Sequence, residues 1–474
     1  LNFGRVRGYF IKNRDFQLSA KVATVVAQIC CHNNELPQGS PCSPVVANLI
    51  AGVMDVRLLL LSKENGCTYS RYADDITIST NQHTFPSKVA FEVVPDTGLW
   101  SIGPDVEKQV NRSGFDINPT KTRMQYRDAR QTVTGLVVNK KVNVRSDYYR
   151  LARAMCHSLF QRGSFVFPGD LSPIDAGDLH GGESQSPPQL QRLEGVLSHI
   201  YFVRYIESLR RLTSRNLKPD GGYRAGGKAR IRTASESVKQ SALHNLYRDF
   251  LFFRLFGASE KPVVLTEGKT DIIYLKLALK ALKSKYPDLI QEEDGETRFG
   301  VHFQKHSGQV ADILNLDGGV SKFVEFINAY KQKVAAYRAW SPSQPVIILT
   351  DSDDAVKPIL TAASGQSAGE ILISSTHNFL HVAHNLYVAK IPLPEGQTQA
   401  CIEELFSHSL RSTKLDGRSL SLKDTKKHPL KADEYGKVEF AQRVVAKMAK
   451  AGDFDNFEVV ADSLRGALQH FHSK

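Results

Sequence analysis

The chain has 474 residues, of which 61 are Lys or Arg and 49 are Asp or Glu, giving a formal net charge of +12. Its hydrophobic content of 41% and charged content of 23% describe an ordinary soluble protein with length for two or three cores. No apolar run reaches the roughly 18 residues that span a bilayer; the longest, at 53–61, is interrupted by Asp55 and Arg57, so no membrane partner is expected.

The first residues, "LNFGRVRGYF", have no signal-peptide layout and do not begin with Met. Cys30, Cys31, Cys42, Cys67, Cys156 and Cys401 form no CxxC pair, so neither a zinc site nor a disulfide framework is indicated. A reduced, cytoplasmic setting fits best. The basic balance points weakly to a polyanionic partner such as nucleic acid.

Residues 1 to 145 mix short helical and strand-like pieces with turn signals. Within them "CTYSRYADDITIST" reads as two strands joined by a tight turn, which would expose Asp74 and Asp75 at one end of a small sheet. Two carboxylates so close repel unless a cation lies between them, and hard oxygen ligands suit Mg2+. Paired metals about 3.5–4 Å apart serve phosphoryl transfer. The plain alternative is a solvated Asp-Asp turn.

Residues 163–190, rich in Gly, Pro, Ser and Asp, read as a long loop, and apolar spacing then predicts a helix over 190–212. A second loop, "SRNLKPDGGYRAGGKAR", precedes a helix expected at about 234–256. Basic side chains concentrate here: Arg204, Arg210, Arg211, Arg215, Lys218, Arg224, Lys228, Arg230 and Arg232 face only Glu207 and Asp220. They form either a solvated face or a phosphate-contacting surface. Tyr201, Phe202, Tyr205 and Tyr223 are interleaved and could stack on bases or lie in a core. Gly222, Gly227 and Lys228 have the spacing of a P-loop, but Ala229 stands where Ser or Thr is needed. A basic loop is the better account.

From "EKPVVLTEGKTD" onward strand-like and helical runs alternate, an α/β rhythm. Glu267 ends one Val/Leu strand; "QPVIILTDSDDA" ends another in Asp351 and Asp353. Ligands gather at the carboxyl ends of strands in open α/β sheets, so these acids should converge on one crevice. Read singly, each is an ordinary helix start or turn. His377, His381 and His384 could share one helical face, but with no acidic or Cys partner nearby they read as core- or solvent-satisfied.

"LPQGSPCSP" (Leu36–Pro44), "YADD" and "GFDINPTKT" resemble motifs B, C and D of the reverse transcriptases, and Val133-Thr134-Gly135 resembles the VTG signature of retron reverse transcriptases. By that resemblance Gln38, Gly39 and Tyr72 line the nucleotide and template pocket, Asp74 and Asp75 hold the metals, and Lys121 lies near the incoming phosphates. Val133, Thr134, Gly135, Arg210, Arg211 and Arg215 would contact RNA. The family's motif A, with a further metal-binding Asp, belongs before the segment at Leu1, so the natural polypeptide is expected to extend further toward its N-terminus.

The pairing of "TEGKTD" with "DSDD" resembles the Toprim domain of topoisomerases, primases and OLD-type nucleases. The resemblance makes Glu267 the acid/base or metal-associated glutamate and gives Asp351 and Asp353 to Mg2+. "LNLDGGVSKF" sits where the family often has a Gly-containing turn, and "ACIEELF" offers Glu403 or Glu404 as an added ligand. Together these imply an α+β right-hand polymerase palm (N-terminally incomplete) with a helical thumb, followed by an α/β Toprim domain. The expected divisions are a palm at 1–145, a thumb and basic helical connector at 146–258, and a Toprim-like domain at 259–474. The implied function is a retron reverse transcriptase that copies a structured non-coding RNA into a branched RNA–DNA product from dNTPs. A fused Mg2+-dependent nuclease would act on DNA or RNA in antiphage defence. The alternatives are a nucleic-acid-binding scaffold with inactive sites, or a group II intron-like reverse transcriptase.

Overall fold

A computed structural model describes residues 1–95, 97–168, 187–206, 213, 241–293, 295–316, 318–352, 356–366, 379–391, 400–423 and 428–474. The chain forms two compact units, Leu1–Arg145 and Ser146–Lys474.

Three helices open the first unit: α1 (Phe3–Lys12), α2 (Ala20–Cys30) and α3 (Ser43–Glu64). Asn2 and Ser19 cap α1 and α2 by accepting from backbone N–H groups of the first turn. Val6, Phe10, Ala23 and Ala27 pack on Val46 and Ile50 of the first half of α3. Its second half supplies Ala51, Met54, Leu58 and Leu61 to another cluster with Val106 and Val110 of α4 (Pro104–Arg112). By length and composition α3 could cross a bilayer, which corrects the reading that stopped at Asp55 and Arg57. Val46, Ile50, Ala51, Met54, Leu58 and Leu61 of α3 fill these two cores, while Val45, Val53, Val56, Leu59 and Leu60 are exposed.

A hairpin of β1 (Thr68–Tyr72) and β2 (Asp75–Ser79) lies on α3, with Tyr69 and Ile78 packed against the second cluster. Strands β3 (Ala90–Glu92) and β4 (Trp100–Ile102) form a second antiparallel pair, and β5 (Thr132–Val133) and β6 (Leu136–Val137) a third.

The second unit begins with α5 (Ser146–Arg162), α6 (Pro187–Tyr201) and α7 (Ala242–Phe252). The periodicity expected from residue 190 is present: Leu190, Leu193, Leu197 and Ile200 are buried. Straight α-helix nevertheless stops at Tyr201, followed by a widened π-helical turn over Phe202–Ile206. Tyr201 is core, its hydroxyl 3.3 Å from His244 Nδ1, whereas Phe202 is exposed. Arg204 stacks on Tyr149.

A five-stranded sheet follows, in the order β10-β7-β11-β13-β12. Its strands are β7 (Val263–Thr266), β10 (His302–Phe303), β11 (Val346–Thr350), β12 (Phe379–Ala383) and β13 (Leu386–Lys390). Strands β10, β7, β11 and β13 run parallel, and β12 adds antiparallel at one edge. Both central strands, VVLT and VIILT, are buried at every residue, which is why they read as unbroken apolar runs rather than alternating ones. Helices α8 (Asp271–Ala281), α9 (Gln309–Leu314), α10 (Val320–Ala335), α11 (Val356–Gln366) and α12 (Glu458–His472) surround it, and a small antiparallel pair, β8 (Ile290–Glu293) and β9 (Glu296–Phe299), lies beside them.

The helices before the sheet share its core. Phe252, Phe253 and Phe256 interlock with Phe326, Tyr330, Tyr337 and Trp340, and Lys333 pairs with Asp249. His381 and His384 do not share a helical face: His381 is on β12, and His384 turns the hairpin at φ 52°. Strand pairing with the apolar Leu386–Lys390 run wins over the helical reading. His377 lies outside the described residues.

Two candidate acidic sites

At the first site, Tyr72 pairs with Asp75 across the hairpin, leaving Ala73 and Asp74 as a two-residue turn. Ala73 stands at φ 53°, a left-handed conformation that costs a non-glycine residue about 1–2 kcal/mol. Arg71 holds it there. Its Nη1 donates to the Ala73 carbonyl at 2.6 Å and to Asn48 Oδ1 at 3.0 Å, while Nε and Nη2 fork onto the Asp55 carboxylate at 2.6 and 2.7 Å. Tyr69 adds a hydroxyl bond to Asp55 at 2.6 Å. The Arg71 hydrogen bond holds the Asp55 carboxyl below its usual value, against the opposing effect of burial.

Asp74, Asp75 and Tyr72 are all exposed at the end of this braced hairpin. The geometry is that expected for presenting two carboxylates to solvent. Gln38 and Gly39 lie in an exposed turn before α3, Gly39 at φ 88°. Buried Ser43 ties that turn to the helix by donating to the Pro37 carbonyl at 2.6 Å. Lys121 is exposed on a turn organised by Asn118, whose side chain accepts from Thr120. Arg5 anchors the chain just upstream, donating to the Ser113 and Gly114 carbonyls and stacking on Phe115. Val133-Thr134-Gly135 forms the β5–β6 turn, with Thr134 at φ 47° and Gly135 at φ 84°; both central residues are left-handed, as a type I′ hairpin requires. Arg210, Arg211 and Arg215 lie outside the described residues.

At the second site, β7 and β11 are neighbours in parallel register, Leu349 opposite Thr266. Glu267 and Asp351 therefore follow the two strands side by side, and the Asp351 N–H donates to Glu267 Oε1 at 3.1 Å. Asp353 lies outside the described residues. Two acids that the sequence reading left unassigned or undecided join them. Asp271 accepts from the Gly268 N–H at 2.8 Å, closing the turn into α8. Of Glu403 and Glu404, Glu403 is the buried one; Lys437 donates to its Oε2 at 2.9 Å, and its Oε1 has no hydrogen-bond partner among the described residues. Glu404 instead caps the Cys401 N–H. Burial, then the neighbouring Asp271, Glu267 and Glu403, push Asp351 up to about 8. Burial pushes Asp271 up to about 6. Lys437 is the cation that opposes this crowd.

Four carboxylates share one lysine here, and a buried Glu403 oxygen is unsatisfied, an excess of negative charge that a hard divalent cation would relieve. Among the described residues no three His, Cys, Asp or Glu side chains are gathered closely enough to form a complete cage. The fit at both sites thus rests on pairs.

Residues 13–145 match the family model of reverse transcriptase (RNA-dependent DNA polymerase), a domain that implies a palm-type polymerase fold and generally uses divalent metal ions, typically Mg2+. Within that class the similarity is to retron enzymes. The chain is 34% identical over 143 residues to the retron Ec86 reverse transcriptase of Escherichia coli, covering 29% of this chain and 40% of that protein. It is 39% identical over 129 residues to the retron Mx162 reverse transcriptase of Myxococcus xanthus, 26% of each chain. With the retron Mx65 enzyme of the same organism it shares 34% over 120 residues, 25% of each. The chain thus spans between a quarter and two fifths of the length of these relatives.

Proposed function

We propose that this chain carries part of a retron-type RNA-directed DNA polymerase joined to a Toprim-like nuclease, working in the cytoplasm in antiphage defence. The polymerase part would copy a structured non-coding RNA into a branched RNA–DNA product from dNTPs. The observation that carries the reading is the exposed Asp74–Asp75 pair on a braced two-residue turn, within the span similar to retron reverse transcriptases.

Mg2+ bound by Asp74 and Asp75 would supply charge neutralisation at the phosphates being joined. The protein's own residues do the rest. The Arg71–Asp55 brace holds the two carboxylates at the hairpin's end. The exposed Gln38–Gly39 turn would offer backbone and an amide side chain to a template base, and exposed Lys121 would meet triphosphate oxygens. The Thr134–Gly135 hairpin and the basic connector bearing Arg210, Arg211 and Arg215 would hold the RNA.

For the nuclease, the support is the placement of Glu267 and Asp351 at the carboxyl edge of a parallel sheet, amid excess buried negative charge. Glu267, Asp351 and Asp353 would hold Mg2+, orienting a phosphodiester of DNA or RNA for hydrolysis. In the full-length protein, Asp75→Ala should abolish cDNA while sparing RNA binding, and Glu267→Ala or Asp351→Ala should abolish nucleolysis while leaving cDNA intact. Sequencing the co-purified nucleic acid should find RNA joined covalently to DNA. Wild-type cDNA yield from Asp75→Ala would overturn the polymerase assignment, and undiminished cleavage by Glu267→Ala the nuclease one.

A further inference from the structure

We propose that His306, at the carboxyl end of β10, is a positioning residue that fixes the backbone turn carrying Glu267; this rests on the nuclease reading above. Strand β10 lies beside β7 in parallel, and their pairing continues past its last residue through Gln304 N–H to Val264 O at 3.0 Å. The next residues of the chain therefore reach the same sheet edge as Glu267 and Asp351, from the opposite side of β7 to β11.

There the Thr266 hydroxyl spans two partners. It donates to the Gly268 carbonyl at 3.0 Å, closing a loop around Glu267, and stands 2.9 Å from His306 Nε2. A hydroxyl has one proton. With that proton on Gly268, the bond to His306 needs Nε2 to be the donor, which sets the imidazole tautomer.

The other side of the ring is closed by a glycine. A Cβ placed on Gly318 would lie 2.9 Å from the Glu267 carbonyl and 3.1 Å from His306 Nδ1. Gly318 also stands at φ 100°, in the left-handed region. The imidazole and the Glu267 backbone are thus held together between the Thr266–Gly268 turn and the turn that opens α10. Since the Glu267 carboxylate also accepts from Asp351 N–H, a shift of this turn would change the separation of the two acids. The sequence motif "TEGKTD" carries the acid; the residue that sets its direction comes from the segment after a strand about 40 positions later.

The test uses the full-length protein, with Mn2+ as the probe. Isothermal titration measures Mn2+ affinity without substrate, and kcat and KM are measured on fluorescent DNA and RNA oligonucleotides. Outer positioning groups of this kind are worth about 10–100-fold in metal affinity or rate. His306→Ala should weaken Mn2+ binding by about tenfold and lower kcat with little change in KM. His306→Gln, whose amide can donate from a similar place, should recover most of both. Thr266→Val removes the bridge while keeping shape and imidazole, and should reproduce the His306→Ala loss even if that variant fails to fold. Parent-like Mn2+ affinity and kcat in Thr266→Val, or in folded His306→Ala, would overturn the assignment of His306 alone. A parent protein that neither binds Mn2+ nor cleaves would overturn the nuclease reading and this inference together.

Discussion

Replacing Asp55 by Asn tests whether the hairpin that bears Asp74 and Asp75 is held from below. Asp55 accepts three short hydrogen bonds, two from Arg71 at 2.6 and 2.7 Å and one from Tyr69 at 2.6 Å. An amide of the same shape keeps one acceptor and turns an NH2 toward the guanidinium. The Arg71 side chain is 9% exposed, so its charge would be left with little water to replace the lost partner. Breaking a fully buried pair costs about 3–5 kcal/mol. Asp55 is itself 31% exposed, which scales the loss down to about 2 kcal/mol. For a unit of this size that is a fall of roughly 4–8 °C in the first unit's melting temperature. Hydrogen exchange over residues 68–79 should rise with it. Because Arg71 also holds the Ala73 carbonyl, nucleotide addition by the full-length enzyme should slow by at least about tenfold, as small displacements of reacting groups do. The Asp55 carboxyl is held below its ordinary value, so the folded unit binds fewer protons than the unfolded chain as acid is added. The brace therefore contributes fully above about pH 4 and is lost as pH falls through the depressed value. Asp55→Asn should flatten that acid limb. Melting within 1 °C of the parent, with unchanged exchange at 68–79, would refute the brace.

Asp351→Asn should raise the melting temperature of the EDTA-treated protein at pH 8 by roughly 2–4 °C, because it removes one charge from a crowded buried set, while abolishing cleavage; calorimetry decides it. Asn385 is fully buried, donating to the Phe256 and Gln344 carbonyls at 2.8 Å and accepting from the Tyr330 hydroxyl at 2.9 Å. Asn385→Ala orphans three groups and should cost about 3 kcal/mol or more in urea unfolding of the second unit. Gly135→Ala should destabilise the β5–β6 turn by about 1 kcal/mol, since alanine resists φ 84°, and weaken RNA retention in filter binding.

What sequence could reveal here was local. The "YADDITI" run declares its turn because carboxylates interrupt strand-forming residues, and the unbroken VVLT and VIILT runs declare strands covered on both faces, so the acids after them follow. The partners that hold those acids come from afar and carry no pattern of their own. Asp55 looks like an interruption in an apolar helix until the hairpin folds onto it. His306 lies in the bend three residues past a two-residue strand, His302–Phe303, too short to show a period. The choice between Glu403 and Glu404 depends on burial alone, settled by the bridge of Ser352 to Ala400 that brings the segment to β11. The His381 and His384 spacing misled because three residues apart suits one face of a helix, whereas here it spans a strand and the turn after it, and the pairing with β13 decides.

The interlocked aromatic rings that join α7 to α10 bear on how this polypeptide could be dissected. A fragment starting at residue 259 would leave Phe326, Tyr330, Tyr337 and Trp340 facing water where Phe252, Phe253 and Phe256 had been. Such a truncation should be sticky and poorly soluble, whereas one starting near Ser146 retains both sides of the seam. Any displacement of α7 would also be passed through these rings to α10, whose opening turn at Gly318 lies against the Glu267 carbonyl.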